Sequence, residues 1–164
     1  MNIFLFPAPV LREKSREIRE IDGELIAFLE SLEKTMYLNK GCVGVAAPQT
    51  GVLKRAVITD SSLNKKTKKS SGKLVMINPV ILNKEGGSIN REGCLSVPDY
   101  TGNVERADKI GFEYTDIQGK KRTAEASGFE AVIIQHEIDH LDGVLFVDRI
   151  KSVKRDLFRR KTKL

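Results

Sequence analysis

The sequence predicts an α+β fold in a single domain, with mixed or antiparallel strands around a central metal-binding helix. Three observations lead there. Short apolar runs separated by turn residues fill the middle of the chain. A strongly apolar helix follows them, and both histidines of the chain sit four positions apart on it. A length of 164 residues suits one domain that buries roughly two thirds of the surface it exposes unfolded.

The first element is "IDGELIAFLESLEKTMYLNKG". Ile21, Leu25, Phe28, Leu29, Leu32 and Met36 share one face at helical spacing, Gly41 supplies a stop, and core packing accounts for the stripe. "GCVGVAAPQTG" is small and turn-rich, as suits backbone lying close to something else. "RAVIT" and "KLVMIN" read as strands joined by an exposed, mobile basic loop over residues 61–73, and "NPVIL" and "GSINREGCLSVP" continue in extended or irregular form. "KIGFEYTDIQGKKRTAEA" predicts a β-hairpin with Gln118-Gly119 near its turn. Ser127 followed by Glu130 reads as a capping box opening the apolar helix "SGFEAVIIQHEIDHLDG", which Asp142-Gly143 ends. A basic surface helix over about 151–164 closes the chain. No repeat or linker divides it, so residues 1–164 are expected to form one catalytic domain.

With 40% hydrophobic and 30% charged residues, the composition is that of an ordinary globular protein and excludes disordered and membrane-embedded classes. No apolar run approaches the ~20 residues of a membrane span. The first fifteen residues lack a basic leader and a small-residue cleavage site, so a cytoplasmic location is expected. Two cysteines make no disulfide framework and fit a reducing compartment. Much of the net charge of +6 lies in "NKKTKKSSGK" and "KSVKRDLFRRKTKL". These are either solvated surfaces or docking surfaces for a polyanion such as RNA.

"IIQHEIDHLDG" carries the chemistry. His136 and His140 project from nearly one side of a helix and can share a metal ion, while Glu137 points about 100° away, within reach of a metal-held water. On so apolar a helix, the same residues without a metal would leave costly unpaired groups. A third ligand is needed. Downstream of His140 there is no histidine and no glutamate, and Asp142 is too close in sequence to swing round. Cys94, in the constrained "REGCLSVP", is the better candidate, with Cys42 its rival. Three ligands leave one position open, as catalytic sites do, whereas structural zinc is closed by four. An endopeptidase on the same helix, or a non-enzymatic RNA- or partner-binding module with a structural metal, are the competing readings.

"GCVGVAAPQ", "EGCLSVP" and "QHEIDHLDGVLF", in this order and spacing, resemble the three motifs of the peptide deformylases, and "PAPVLREKSREI" and "YTGNVERAD" extend the similarity over essentially the whole chain. The resemblance implies one divalent metal on Cys94, His136 and His140, with a water in the fourth position. It implies Fe(II) as a frequent occupant and Zn(II) or Ni(II) in its place. Glu137 matches the catalytic acid/base, the metal-bound hydroxide attacking the formyl carbonyl. Gln49 and the backbone N–H of Leu95 match the donors to the developing oxyanion, whereas without the resemblance Gln49 reads as a core or turn hydrogen-bonder. Gly44 matches the glycine beside the formyl group. Phe129, Val132 and Ile133 can line a pocket for the methionine side chain, and core packing explains them equally well. The implied substrate is the N-formyl-methionyl end of a nascent polypeptide, and the products are formate and a free amine. The basic C-terminal segment can then dock on the ribosome. One departure stands out, since the family motif usually has glycine where this chain has Cys42.

Overall fold

A computed structural model describes residues 1–160. The Asp22 carboxylate caps α1 (Gly23–Leu38) by accepting from the Leu25 N–H at 2.8 Å. Leu25, Leu29, Leu32 and Met36 of α1 are buried along the stripe that the spacing predicts. The strands then follow: β1 (Gly44–Ala46), β2 (Ala56–Asp60), β3 (Lys73–Glu85), β4 (Ser88–Cys94), β5 (Val97–Arg106), β6 (Lys109–Thr115) and β7 (Lys121–Ser127). The second long helix is α2 (Phe129–Leu141). After it come a single helical turn, α3 (Val153–Asp156), and a short strand, β8 (Leu157–Arg159).

Two antiparallel sheets result. One runs β1-β2-β3-β6-β7 and the other β4-β5-β8, so β1 and β4 each form a sheet edge. Helices cover both faces of the larger sheet. Ala56 and Ile58 of β2 point to the cluster under α1, and Val57 between them points to the cluster under α2. That is the period of two expected of a strand, here with apolar residues on both faces because both are covered. Phe112, Ile134 and Leu141 close the α2 cluster. Each such fully buried side chain contributes about 1.5–3 kcal/mol. All of α2 from Glu130 to Leu141 is buried, so this is the central helix. The expected hairpin is β6 paired with β7, with Gly119 at φ 80° in its turn.

Three expectations are corrected. Ser127 does not cap α2. It ends β7, Gly128 at φ 59° takes the cap position, and no side chain caps the helix. Glu130 turns instead to the β2–β3 connection, accepting from Ser61 Oγ at 2.8 Å and from the Ser71 N–H at 2.7 Å. The connection expected to be mobile is therefore tied down by a buried carboxylate. Finally, the C-terminal segment is not a helix over 151–164. It holds one helical turn and then pairs as β8 with Tyr100–Gly102 of β5, because strand pairing outweighs the helix propensity of its Lys and Arg residues. The last part of that expectation, residues 161–164, lies outside the described residues.

Candidate active site

His136 and His140 stand one turn apart on α2 with ring centroids 5.1 Å apart. Cys94, the last residue of β4, brings its Sγ to 3.3 Å from His140 Nε2. The three offer one ligand atom each, all within 4.8 Å of one another and all buried. Cys42 is not part of this group. Its thiol donates to the Gly44 carbonyl at 3.0 Å and is pushed up to about 12, by burial first and then by the charge of Glu137. Of the two cysteines, Cys94 is the one grouped with the histidines.

The donor set suits a divalent metal. Glu92 lies 2.7 Å from His136 Nδ1 and so leaves the Nε2 of that ring for a ligand bond. Burial alone would raise the Cys94 thiol, but the charge of His140 and hydrogen bonds from both histidines outweigh it and hold the thiol well below its ordinary range. His136 is raised well above its own range, because its bonds to Cys94 and Glu92 outweigh burial. A metal cation bound to these residues would take the place of that shared proton, since ligating thiols and imidazoles are deprotonated.

Glu137 lies beside this group. Burial pushes its carboxyl up to about 7 against the opposing charges of His136 and His140. Among the described residues, Glu137 Oε2 and His140 Nδ1 are buried without a hydrogen-bond partner. Gly44 on β1 explains how the carboxylate fits. A Cβ there would meet Glu137 Oε1 at 2.5 Å, so the absent side chain is the space the carboxylate occupies. Gln49 sits in the 3-10 turn after β1. Its Oε1 accepts from the Ala46 N–H at 2.9 Å, and its Nε2 donates to Ser96 Oγ at 3.1 Å and to Cys94 Sγ at 3.4 Å. The amide is thereby oriented with its N–H groups toward Cys94 and Ser96.

A cavity of about 240 Å³ collects these groups. Gly44, Gln49, Cys94, Leu95, His136 and Glu137 line it, and Phe129, Val132 and Ile133 form its apolar wall. His140 lies beneath, 2% exposed. The residues selected from sequence thus converge on one place.

Others were not selected. Glu92 is held by Arg106, whose Nε and Nη2 donate to its two carboxylate oxygens at 2.7 and 3.0 Å. Burial would raise Glu92, and the bonds from Arg106 and His136 bring it down to about 2. Arg106 also donates to Asp139 at 2.6 Å, and Arg149 holds Asp139 from the other side. Two positions before Cys94 on the same strand, Glu92 is buried as Cys94 is, at the i, i+2 spacing of one strand face. That spacing was the available signal. Asn64, Lys66 and Arg160 also line the cavity.

Residues 1–156 match the family model described as polypeptide deformylase. The chain is 41% identical over 163 residues to the peptide deformylase of Thermodesulfovibrio yellowstonii, covering 99% of this chain and 96% of that one. The crystal structure of peptide deformylase from Thermotoga maritima superimposes with a TM-score of 0.84 at 36% identity, covering 92% of this chain and 97% of that chain. A class I type b peptide deformylase from Acinetobacter baumannii, bound to Met-Ala-Ser, superimposes with a TM-score of 0.85 at 35% identity, covering 92% of this chain and 98% of that chain.

Proposed function

The chain belongs to the polypeptide deformylase family of enzymes, and from that premise we propose that it removes the formyl group from the N-formyl-methionine of newly made polypeptides. One observation carries the proposal: a Cys-His-His cluster, an unpartnered carboxylate and an oriented amide share a single cavity with an apolar wall. The relative from Acinetobacter baumannii binds Met-Ala-Ser, the peptide such a reaction would leave.

Cys94, His136 and His140 would hold the metal. Bound there, a divalent ion supplies Lewis-acid chemistry, lowering the pKa of water and polarising the formyl oxygen. Fe(II) is the proposed natural ion, with Zn(II) or Ni(II) able to replace it, because a thiolate and two imidazoles suit all three. The methionine side chain lies against Phe129, Val132 and Ile133. Glu137, with a carboxyl poised near neutrality, takes the proton from the attacking water as the new C–O bond forms. Gln49 Nε2 and the Leu95 N–H donate to the oxygen that becomes negative. As the C–N bond breaks, Glu137 returns its proton to the leaving nitrogen, giving formate and a free amine. Gly44 keeps that carboxylate in place without a side chain of its own.

The test is formate release from formyl-Met-Ala-Ser under low oxygen by protein loaded separately with Fe(II), Ni(II) or Zn(II). Turnover is expected in the parent, and Cys94→Ala is expected to lose both its metal and its activity. Cys94→Ala protein that keeps one equivalent of metal would overturn the ligand set, and no formate with any metal would overturn the reaction.

Nascent chains are made in the cytoplasm, and the proposal places the protein there. Docking on the ribosome through the basic C-terminal segment is supported by its charge and by the exposure of Lys151, Lys154 and Arg155. Reversing these three to glutamate should lower co-sedimentation with ribosomes, and an unchanged bound fraction would end the idea.

A further inference from the structure

The mouth of the cavity carries four cations from four parts of the chain: Lys40 after α1, Lys66 in the β2–β3 connection, Arg91 on β4 and Arg160 after β8. The acids lining the same cavity, among the described residues, are Glu92 and Glu137. Glu92 is spent on Arg106 and His136, and Glu137 is buried at the metal ligands. No carboxylate of the described residues pairs with any of the four cations.

Their placement is built rather than incidental. Lys66 Nζ stands 5.6 Å from the centroid of the Phe129 ring, which forms part of the apolar wall. The connection that carries Lys66 is anchored through Ser61 and Ser71 to the buried Glu130, one residue further along α2. On the opposite side, β8 pairs with β5 and the Arg160 N–H donates to the Asp99 carbonyl at 2.7 Å. The guanidinium of Arg160 then lies on Gly93, where a Cβ would come within 2.2 Å of Nη2. Arg91 is stacked 3.5 Å from the centroid of the Phe158 ring and donates to Asn103 Oδ1 at 3.0 Å. Lys66 beside Phe129 and Arg160 against Gly93 thus line the same cavity as the apolar wall.

We propose that Lys66 and Arg160, supported by Lys40 and Arg91, form a cationic rim that selects formyl peptides with an acidic side chain at the second or third residue. This rests on the deformylase reading above and adds the substrate class to it. Acidic side chains gain a partner at the rim, and basic ones meet like charge in a mouth where, among the described residues, the acids are already engaged or buried.

The experiment measures kcat/KM of the Ni(II)-loaded chain on formyl-Met-Glu-Ser against formyl-Met-Lys-Ser, and on formyl-Met-Ala-Glu against formyl-Met-Ala-Lys. Formyl-Met-Ala-Ser is the control. In at least one pair the glutamate peptide is expected to be preferred by about fivefold at low salt, mostly through KM, since exposed ion pairs are each worth a few tenths to one kcal/mol. The preference should shrink when salt shortens the screening length. In the Lys66→Gln/Arg160→Gln double variant the ratio should fall toward one. Two results overturn the rim: ratios within about twofold in both pairs for the parent, or a glutamate preference that survives in the double variant. Salt-dependent retention on RNA with no peptide preference would likewise overturn it and assign these cations to nucleic acid. If the control peptide is not turned over either, the deformylase reading itself fails. If the control is turned over and the ratios are flat, only the rim fails.

Discussion

Replacing Glu137 with glutamine is expected to lower formate release about a thousandfold while leaving the metal in place. Glutamine keeps the shape of the side chain, so it still fills the space beside Gly44. What it loses is the capacity to accept and return a proton. The parent carboxyl is held near 7 by burial, where it is neither too weak a base to take the proton from water nor too weak an acid to give it to nitrogen. A thousandfold loss corresponds to about 4 kcal/mol of transition-state stabilisation. Glu137 is not among the three ligands, so one equivalent of metal should remain by elemental analysis. Activity within about tenfold of the parent, with metal retained, would remove Glu137 from proton transfer.

The largest effect on stability is expected at Arg106. Its guanidinium is buried between Glu92 and Asp139, and Arg106→Met removes the cation while filling similar volume. Two buried carboxylates then lose a partner, although Asp139 keeps Arg149 and Glu92 keeps His136. Breaking a buried pair from one side costs about 3–5 kcal/mol, which for a domain of this size is a fall of roughly 10 °C in Tm. Thermal unfolding of metal-loaded parent and variant measures it. Metal affinity should also drop by about 10- to 100-fold, because Glu92 orients His136. Equal midpoints would show that the ion pairs of Arg106 merely break even with an apolar replacement.

The parts of this molecule that were legible in its sequence are those governed by local periodicity. The i, i+4 histidines declare a shared helix face, the stripe of α1 declares its buried side, and Gly119 declares a turn. The third ligand could be weighed because the alternatives downstream of His140 are so few. What escaped depends on contacts distant in sequence. Arg106 meets Glu92 and Asp139 across separations of 14 and 33 residues, and no local pattern joins them. Ser127 and Glu130 have the spacing of a capping box. Their partners are decided elsewhere, since β7 claims the serine, and Ser61 and Ser71 claim the glutamate. The basic C-terminal stretch has residues that favour a helix, yet an open strand on β5 takes it. The same event brings Arg160 to the cavity, so the lost helix and the rim are one fact.

The cavity is bordered by two strands that are sheet edges among the described residues, β1 with Gly44 and β4 with Gly93 and Cys94. Edge strands present main-chain N–H and C=O groups that await a neighbour, and an extended peptide laid between them can serve as a strand to both sheets. Such a grip reads only what all polypeptides have in common. On the deformylase reading proposed above, such a grip would let one site take formylated chains of many sequences, with the proposed rim adding a bias by charge.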